Sequence, residues 1–265
     1  MARRRHGEVG ECGIGDELIV SSVGLHHGEE YPISGFRGSG TVFLAGCNLH
    51  CVYCQNWTIS QARAGEPISV SELAQAMVNL QKTGAHNINW VSPTHVVPML
   101  AEALLLAYEN GLNIPLVYNS GGYDSLEVLA FLDGIVDIYM PDMKYGNADT
   151  ALKLSDVEDY PRHNQAAIRE MYRQVGPLSY DSHGVAKSGL LIRHLVLPED
   201  LAGSEHIFRF LEEEMPGPVD VNVMAQYHPC YKADDFPPLA RGLHGSEYQS
   251  AVNQAKEKRK IRIVN

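Results

Sequence analysis

Cys47, Cys51 and Cys54 form a C-x3-C-x2-C triplet within Thr41-Val-Phe-Leu-Ala-Gly-Cys-Asn-Leu-His-Cys-Val-Tyr-Cys-Gln-Asn56, where an apolar run stops at a glycine and opens into thiols. Thiolates are soft ligands for iron–sulfur, zinc or cuprous centres, and three on one short loop can wrap a metal site without help from distant parts of the chain. Cubane clusters ordinarily take four cysteines, so a triplet can hold three irons and leave the fourth open to a substrate or cofactor. The other reading is a structural zinc knuckle, which closes four ligands around one ion. Its fourth ligand would have to be Cys12, Cys230 or a histidine such as His50. Zinc sites come as paired couples more often than as a lone triplet, which favours the cluster. Gly46 lets the chain turn sharply out of the strand.

The elements that must position this loop follow from hydrophobic pattern. Residues 41–45 read as a buried parallel strand, and further strands are expected at 87–91, 114–118, 135–140, 190–197 and 219–224. Ser69 and Glu72 have capping-box spacing, and Val70, Leu73, Ala74, Met77 and Leu80 share a helical face before Gly84. Pro98 opens a second helix that runs to Gly111, and Asp124 and Glu127 are spaced to cap a third. Helices at 165–175, 204–214 and from about Ser246 into the basic run Lys256 to Lys260 complete the alternation. Between Gly146 and Lys187 only the 165–175 stretch reads as helix. Residues 1–40 read as glycine-rich and irregular, with Glu29 and Glu30 solvated in a loop. Strands alternating with helices, without a repeat, imply a parallel sheet with right-handed crossovers. One domain is expected, with an N-terminal segment over 1–40 packed on a barrel over 41–265.

Composition narrows the function classes. At 265 residues, with 45% hydrophobic content and a mean hydropathy of -0.18, the chain has the profile of a soluble globular protein. No apolar run approaches a membrane span, and Met1-Ala-Arg-Arg-Arg-His6 lacks the apolar core of a signal peptide, so no membrane partner and a cytoplasmic location are expected. Five cysteines, three of them clustered, do not make a disulfide framework. A formal net charge of -11 argues against a nucleic-acid partner, which needs a basic face. The basic runs Arg3 to Arg5 and Lys256 to Arg262 read as a disordered start and a cationic helix end.

In barrel-like α/β folds the loops leaving the strand C-termini build the site. Here those ends carry the three cysteines, then Thr94 and His95, Asn119 and Ser120, Asp142 and Lys144, and finally Tyr227 and His228, while Arg193 and His194 lie within the fifth strand. A polar residue where an apolar strand stops is ordinary turn chemistry at any one position. Beside a cluster motif, the set reads as a site.

The segment Gly40 to Asn56, with Tyr53 as the aromatic before the third cysteine, resembles the signature of the radical S-adenosylmethionine (radical SAM) superfamily, and most closely the branch of pyruvate formate-lyase activating enzymes. The resemblance implies an α/β fold, a partial parallel (β/α)6 barrel. It implies a [4Fe-4S] cluster on Cys47, Cys51 and Cys54, and S-adenosylmethionine at the open iron. The implied activity is reductive cleavage of that cofactor to a 5'-deoxyadenosyl radical, fed by a low-potential donor such as flavodoxin or ferredoxin. The first implied acceptor is a glycine of a partner glycyl radical enzyme; the alternatives are another protein or a small molecule and, from a different class, a non-catalytic zinc-binding protein.

By the same resemblance, Arg193 in Leu191-Ile-Arg-His-Leu-Val-Leu-Pro198 stands in the place of a carboxylate-binding arginine. A buried arginine is also suited to an internal ion pair with an acid such as Asp142. Asp142-Met-Lys144 resembles an Asp-Leu-Lys element, which puts Lys144 beside the cofactor and has Asp142 order it or hold a monovalent cation with Asn119 and Ser120, where the family has Asp-Thr. Ser92-Pro-Thr-His95 stands where most members carry Gly-Gly-Glu, so contact with the cofactor amine falls to Thr94 and nearby carbonyls. His228 of Tyr-His-Pro-Cys matches a family histidine near the cofactor. Lys144 and His228 are thus the implied catalytic residues. Tyr53, Thr94, Asn119, Ser120, Asp142 and Arg193 join them in binding the cofactor. Gly7 to Cys12 resembles the tail of a cysteine-rich leader.

Overall fold

The computed structural model describes residues 7–264, so the Arg3 to Arg5 run lies outside the described residues. The chain begins with β1 (Ile19–His26), the single turn α1 (Tyr31–Ser34), β2 (Ser39–Leu44), the short α2 (Trp57–Ser60) and the two-residue β3 (Glu66–Pro67). Regular alternation follows: α3 (Val70–Lys82), β4 (Ile88–Val91), α4 (Val97–Glu109), β5 (Leu116–Ser120), α5 (Leu126–Phe131) and β6 (Ile138–Pro141). Next come α6 (Ala148–Ser155), α7 (Tyr160–Val175), β7 (Ser179–Tyr180) and β8 (Ala186–Leu195). The chain closes with α8 (Ser204–Glu214), β9 (Val219–Met224), α9 (Gly245–Lys256) and β10 (Ile261–Ile263).

The sheet runs β10-β9-β8-β6-β5-β4-β2-β1-β3, with β7 attached to β8. The six expected strands are all present and parallel to their neighbours, from β2 through β4, β5, β6 and β8 to β9. This is the parallel sheet that the strand–helix alternation predicts, in the α/β partial barrel that the resemblance implies. Local signals acted as expected at α3, where Ser69 Oγ accepts from Glu72 N–H and the Glu72 carboxylate accepts from Ser69 N–H.

Three expectations are corrected. Residues 1–40 are not irregular throughout: β1 pairs antiparallel with β2 from Val20–Leu44 to His26–Ser39. The interval from Gly146 to Lys187 holds α6 as well as a helix five residues longer at its start than expected, opened by Pro161 in its first turn. At α5 the cap is Ser125, whose Oγ accepts from Val128 N–H, because Asp124 is buried and bonded elsewhere.

Period-2 alternation splits the strands between two environments. Val42, Leu44, Ile88, Trp90, Tyr118, Tyr139, Leu190 and Ile192 point to the helices and share one core with Leu73, Met77, Leu100 and Phe208. Each such side chain contributes roughly 1.5–3 kcal/mol by leaving water. Val117, Ile138, Met140 and Leu191 point the other way and pack around Ile33 of α1. The segment leading into α1 also bonds β4 through Asn89 Nδ2 to Glu29 Oε1 (3.3 Å) and β9 through Asn222 Nδ2 to Glu30 Oε1 (2.7 Å). Those two strands lie four places apart in the sheet, so the segment sits inside its curve, with Ile33 O accepting from Asn87 Nδ2 just before β4.

Candidate functional site

The cysteine loop leaves β2 through Gly46, whose φ is +85°; a Cβ there would meet Ile14 Cγ1 at 2.6 Å and Cys12 O at 2.9 Å, so only glycine fits the turn. His95 Nε2 lies 2.8 Å from Ala45 O, and the backbone N–H groups of His50 and Val52 donate to Ser155 O and Leu154 O of α6. The loop is therefore pinned at its entry and along its middle. Leu49 closes over the barrel against Gly121, where a Cβ would come within 2.8 Å of its Cδ1.

Each sulfur meets a hydrogen-bonding group. Leu49 N–H donates to Cys47 Sγ (3.4 Å), Ser155 Oγ donates to Cys51 Sγ (3.0 Å), and Ser60 Oγ lies 3.1 Å from Cys54 Sγ. Burial pushes the Cys47 thiol up to about 12, with Cys51 and Cys54 adding to it and the Leu49 N–H opposing it. Burial and the neighbouring Cys51 likewise raise Cys54. Such thiols become thiolates when positive charge arrives, and the three donors then solvate the sulfurs as they do in iron–sulfur sites. The residues thus fit a cluster held at three corners. The fourth zinc ligand considered above is engaged otherwise: His50 has Gln61 Oε1 and Glu11 Oε1 at 3.0 Å from its two ring nitrogens. Cys12 packs in the core with Ile14 and Leu18.

Cys51 and Cys54 share a cavity of about 200 Å³ with Tyr53, Gln55, Asn56, Asp142, Lys144, Arg193, Leu195, Met224 and Gln226. Its floor is a charge network. Lys144 Nζ donates to Asp142 Oδ2 at 2.6 Å, and Arg193 Nε donates to Asp142 Oδ1 at 3.0 Å. The remaining arms of Arg193 reach Asn119 Oδ1 (2.6 Å) and Glu29 Oε2 (3.4 Å). Burial alone would raise the Asp142 carboxyl, but Arg193 and Lys144 together hold it below the usual carboxylate range. Burial wins at Glu29, whose carboxyl is raised although Arg193 opposes the shift. Burial is the largest single effect on Lys144 and Arg193 and works against their charge, but Asp142 together with the other acidic neighbours of each outweighs it and raises both. Tyr53 walls the cavity edge-on to Tyr145 and Tyr227, its hydroxyl held protonated by burial.

The structure thus brings Cys51, Cys54, Tyr53, Asp142, Lys144 and Arg193 around one cavity, with Cys47 beside its sulfurs and Asn119 one layer beneath. It does not bring Thr94 and Ser120 there. Their hydroxyls donate to the two oxygens of buried Asp124 (2.7 Å each), and Thr94 lines a separate cavity of about 290 Å³ with Asn48, Tyr123 and His163. The oxygens suggested for a monovalent cation are likewise taken: Asn119 by Arg193, Ser120 by Asp124 and Asp142 by its two cations. His228 is exposed at the rim, its Nδ1 3.2 Å from Gln55 Nε2, and does not line the cavity. Glu29 is corrected from solvated to largely enclosed, with 10% of its side chain exposed, and Glu30 from solvated to bonded with Asn222.

Sequence reasoning passed over Glu29, Glu30, Asn89 and Asn222. A signal existed in Ile88-Asn-Trp-Val91 and Val219-Asp-Val-Asn-Val-Met224, where single polar residues interrupt apolar strands in period 2 and mark the inward face.

Comparison with known proteins agrees with this geometry. The family model described as "Radical SAM superfamily" matches residues 41–176, just over half of the chain. The uncharacterized protein MJ0674 of Methanocaldococcus jannaschii is 33% identical over 264 residues, spanning 96% of this chain and 71% of that protein. Among solved structures, a radical SAM methyltransferase from Sphaerobacter thermophilus superposes with a TM-score of 0.54 at 14% identity, over 85% of this chain and 66% of its own. The protein anSMEcpe, solved with bound AdoMet (S-adenosylmethionine), gives 0.52 at 13% identity, over 80% of this chain and 57% of its own. The chain thus spans less than two thirds of those two structures, and at such identities they speak for the fold.

Proposed function

The chain belongs to the radical SAM superfamily, and from that premise we propose that it cleaves S-adenosylmethionine reductively and passes the resulting 5'-deoxyadenosyl radical to an acceptor by hydrogen abstraction. The observation that carries this reading is the cavity in which two of the three thiols face a floor of Asp142, Lys144 and Arg193. A [4Fe-4S] cluster with one open iron supplies, when bound, the electron for that cleavage.

The chain's own residues do the rest. Cys47, Cys51 and Cys54 would hold the cluster, with Leu49 N–H, Ser155 and Ser60 satisfying their sulfurs. Arg193 uses three of its five N–H groups within the protein, so two remain for a ligand carboxylate, on a guanidinium already fixed in place by Asp142 and Asn119. Lys144 adds a second fixed positive charge, and Asp142 orders both cations. Tyr53, Leu195 and Met224 exclude water from the side of the cavity, which strengthens every charge inside. Thr94, Ser120 and a monovalent cation are not carried into this reading. His228 stands at the rim beside Gln55 and Gln226, both of which line the cavity.

The acceptor implied by the resemblance is a glycine of a partner glycyl radical enzyme. The alternative is abstraction from another protein or a small molecule.

The test is 5'-deoxyadenosine formation by the anaerobically reconstituted chain with reductant and S-adenosylmethionine. The wild type should make the product. Cys51→Ala should lose it by a thousandfold or so, since the whole radical chemistry depends on the cluster. A wild-type chain that binds zinc, retains no iron and makes no product would sink the enzyme reading.

A further inference from the structure

The cysteine loop rests on the last turn of α6. Ser155 O and Leu154 O accept there from His50 N–H (3.2 Å) and Val52 N–H (2.9 Å), which fixes the Ser155 side chain against the loop. A serine in a helix ordinarily turns its hydroxyl out to water or back to the carbonyl four residues earlier. Ser155, fully buried, gives its hydrogen to Cys51 Sγ at 3.0 Å instead. Behind it stands Tyr145, also buried, with its hydroxyl 2.6 Å from Ser155 Oγ. A liganding thiolate has no proton and only accepts, so the single hydroxyl hydrogen of Ser155 is committed to sulfur. Ser155 Oγ is then left as an acceptor, and Tyr145 must donate to it. A weaker copy of this relay serves Cys54: Gln61 Nε2 donates to Ser60 Oγ at 3.3 Å, and Ser60 Oγ lies 3.1 Å from Cys54 Sγ.

We propose that Ser155, polarised by Tyr145, sets the reduction potential of the cluster that Cys51 would hold, with Tyr145 a positioning residue that acts through Ser155. Hydrogen bonds to the sulfurs of an iron–sulfur centre favour its reduced, more negative form. Tyr53, Leu154 and Tyr160 pack around the pair, so each bond acts at low dielectric, where a donor behind a donor strengthens it. The bond to Cys47 is longer, 3.4 Å from Leu49 N–H, and the relay to Cys54 has the weaker link, so Ser155 carries the largest share. The step it governs is uptake of one electron from a low-potential one-electron reductant, with each hydroxyl hydrogen staying on its own oxygen. This deepens the function proposed above, since it rests on the cluster which that reading calls for.

The test is a redox titration of the anaerobically reconstituted chain without S-adenosylmethionine, read by electron paramagnetic resonance of the reduced cluster. Ser155→Ala should lower the reduction equilibrium constant about tenfold, which is about 59 mV more negative for one electron. Tyr145→Phe should shift it the same way by a smaller amount, since Ser155 keeps its bond to sulfur and loses the donor behind it. The double variant should match Ser155→Ala alone, because Tyr145 acts through Ser155. Removing both hydroxyls leaves neither stranded, so the double variant gives the answer where Ser155→Ala fails to fold. A potential that the double variant does not move would overturn the proposal, and so would a Tyr145→Phe shift as large in the Ser155→Ala background as in the wild type. A merely structural role would lower the iron retained per chain and leave the potential of the remaining clusters unmoved, which also overturns it. Deoxyadenosine formation is read in parallel. The expected shifts without any product from the wild type keep the relay and sink the radical chemistry, whereas product with unmoved potentials does the reverse. A chain that assembles no cluster overturns both.

Discussion

The two faces of the central sheet are built from the same strands and carry opposite chemistry. On β8, Leu190 and Ile192 point outward into the helical core, while Arg193 points inward to Asp142, Glu29 and Asn119. On β4, Ile88 and Trp90 pack outward and Asn89 faces the lumen. Outward positions need only volume and apolarity, and many combinations satisfy them. Inward positions tie several elements into one network in which every charge depends on its partner, an arrangement that opposes stability unless complete. The costly face is the one that reaches the cysteine cavity, which is where such an arrangement has a use.

Two neighbouring positions on β8 put that contrast under test. Arg193→Leu should have the largest effect, because it strands Asp142 and Glu29 without their shared cation: a loss of about 3–5 kcal/mol in urea unfolding, together with loss of deoxyadenosine formation. Glu29→Gln in the same background should restore part of the stability, since it removes one of the stranded charges, and should restore none of the activity. Ile192→Ala, one residue earlier and facing the helices, should cost roughly 2–5 kcal/mol by leaving a cavity. Its activity per folded molecule should match wild type. If Ile192→Ala lowers that specific activity as far as Arg193→Leu does, the division of labour between the faces is wrong.

The outward face was also the more legible one. The six parallel strands and the α3 cap follow from local pattern, because apolar periodicity and a Ser-x-x-Glu box act within a few residues of chain. The cysteine loop was legible for the same reason, since its spacing is itself the signal. What escaped was non-local. Glu29 and Glu30 precede a single helical turn in a glycine-rich stretch, and only the folding of that stretch into the barrel buries them. Asp124 has the spacing of a cap, yet Thr94, Ser120 and Tyr118 converge on it from other elements and leave the cap to Ser125. β1 was missed because its middle residues are exposed, so it carries little of the apolar run that marks a buried strand. Arg193 was legible as either ligand or ion-pair partner. The structure makes it an ion-pair partner and leaves it two N–H groups for a ligand.

His194 blurs the contrast, being a titratable group on the outward face, and offers its smallest test. Its ring is fully buried against Phe208, with Nδ1 2.8 Å from Met143 O and Nε2 2.9 Å from Ser204 Oγ. A carbonyl can only accept, so Nδ1 carries the proton and Nε2 accepts from Ser204, which leaves the neutral ring satisfied on both sides. Burial pushes its pKa down, only partly opposed by the Met143 carbonyl. A histidine depressed in the folded state takes up its proton on unfolding, so its contribution is present above the unfolded value near 6.5 and is lost as pH falls toward the folded one. Stability should therefore drop below about pH 6.5, by at most about 1.4 kcal/mol per pH unit for this one group. His194→Gln should be less stable at pH 8 and should flatten that slope, as read by urea unfolding between pH 8 and pH 5. Met143 lies between Asp142 and Lys144, so the same variant reports whether the outward face merely supports the cavity floor or also sets its geometry. Unchanged deoxyadenosine formation per folded molecule at pH 8 would mean support alone; a loss comparable to that of Arg193→Leu would mean that the two faces act as one site.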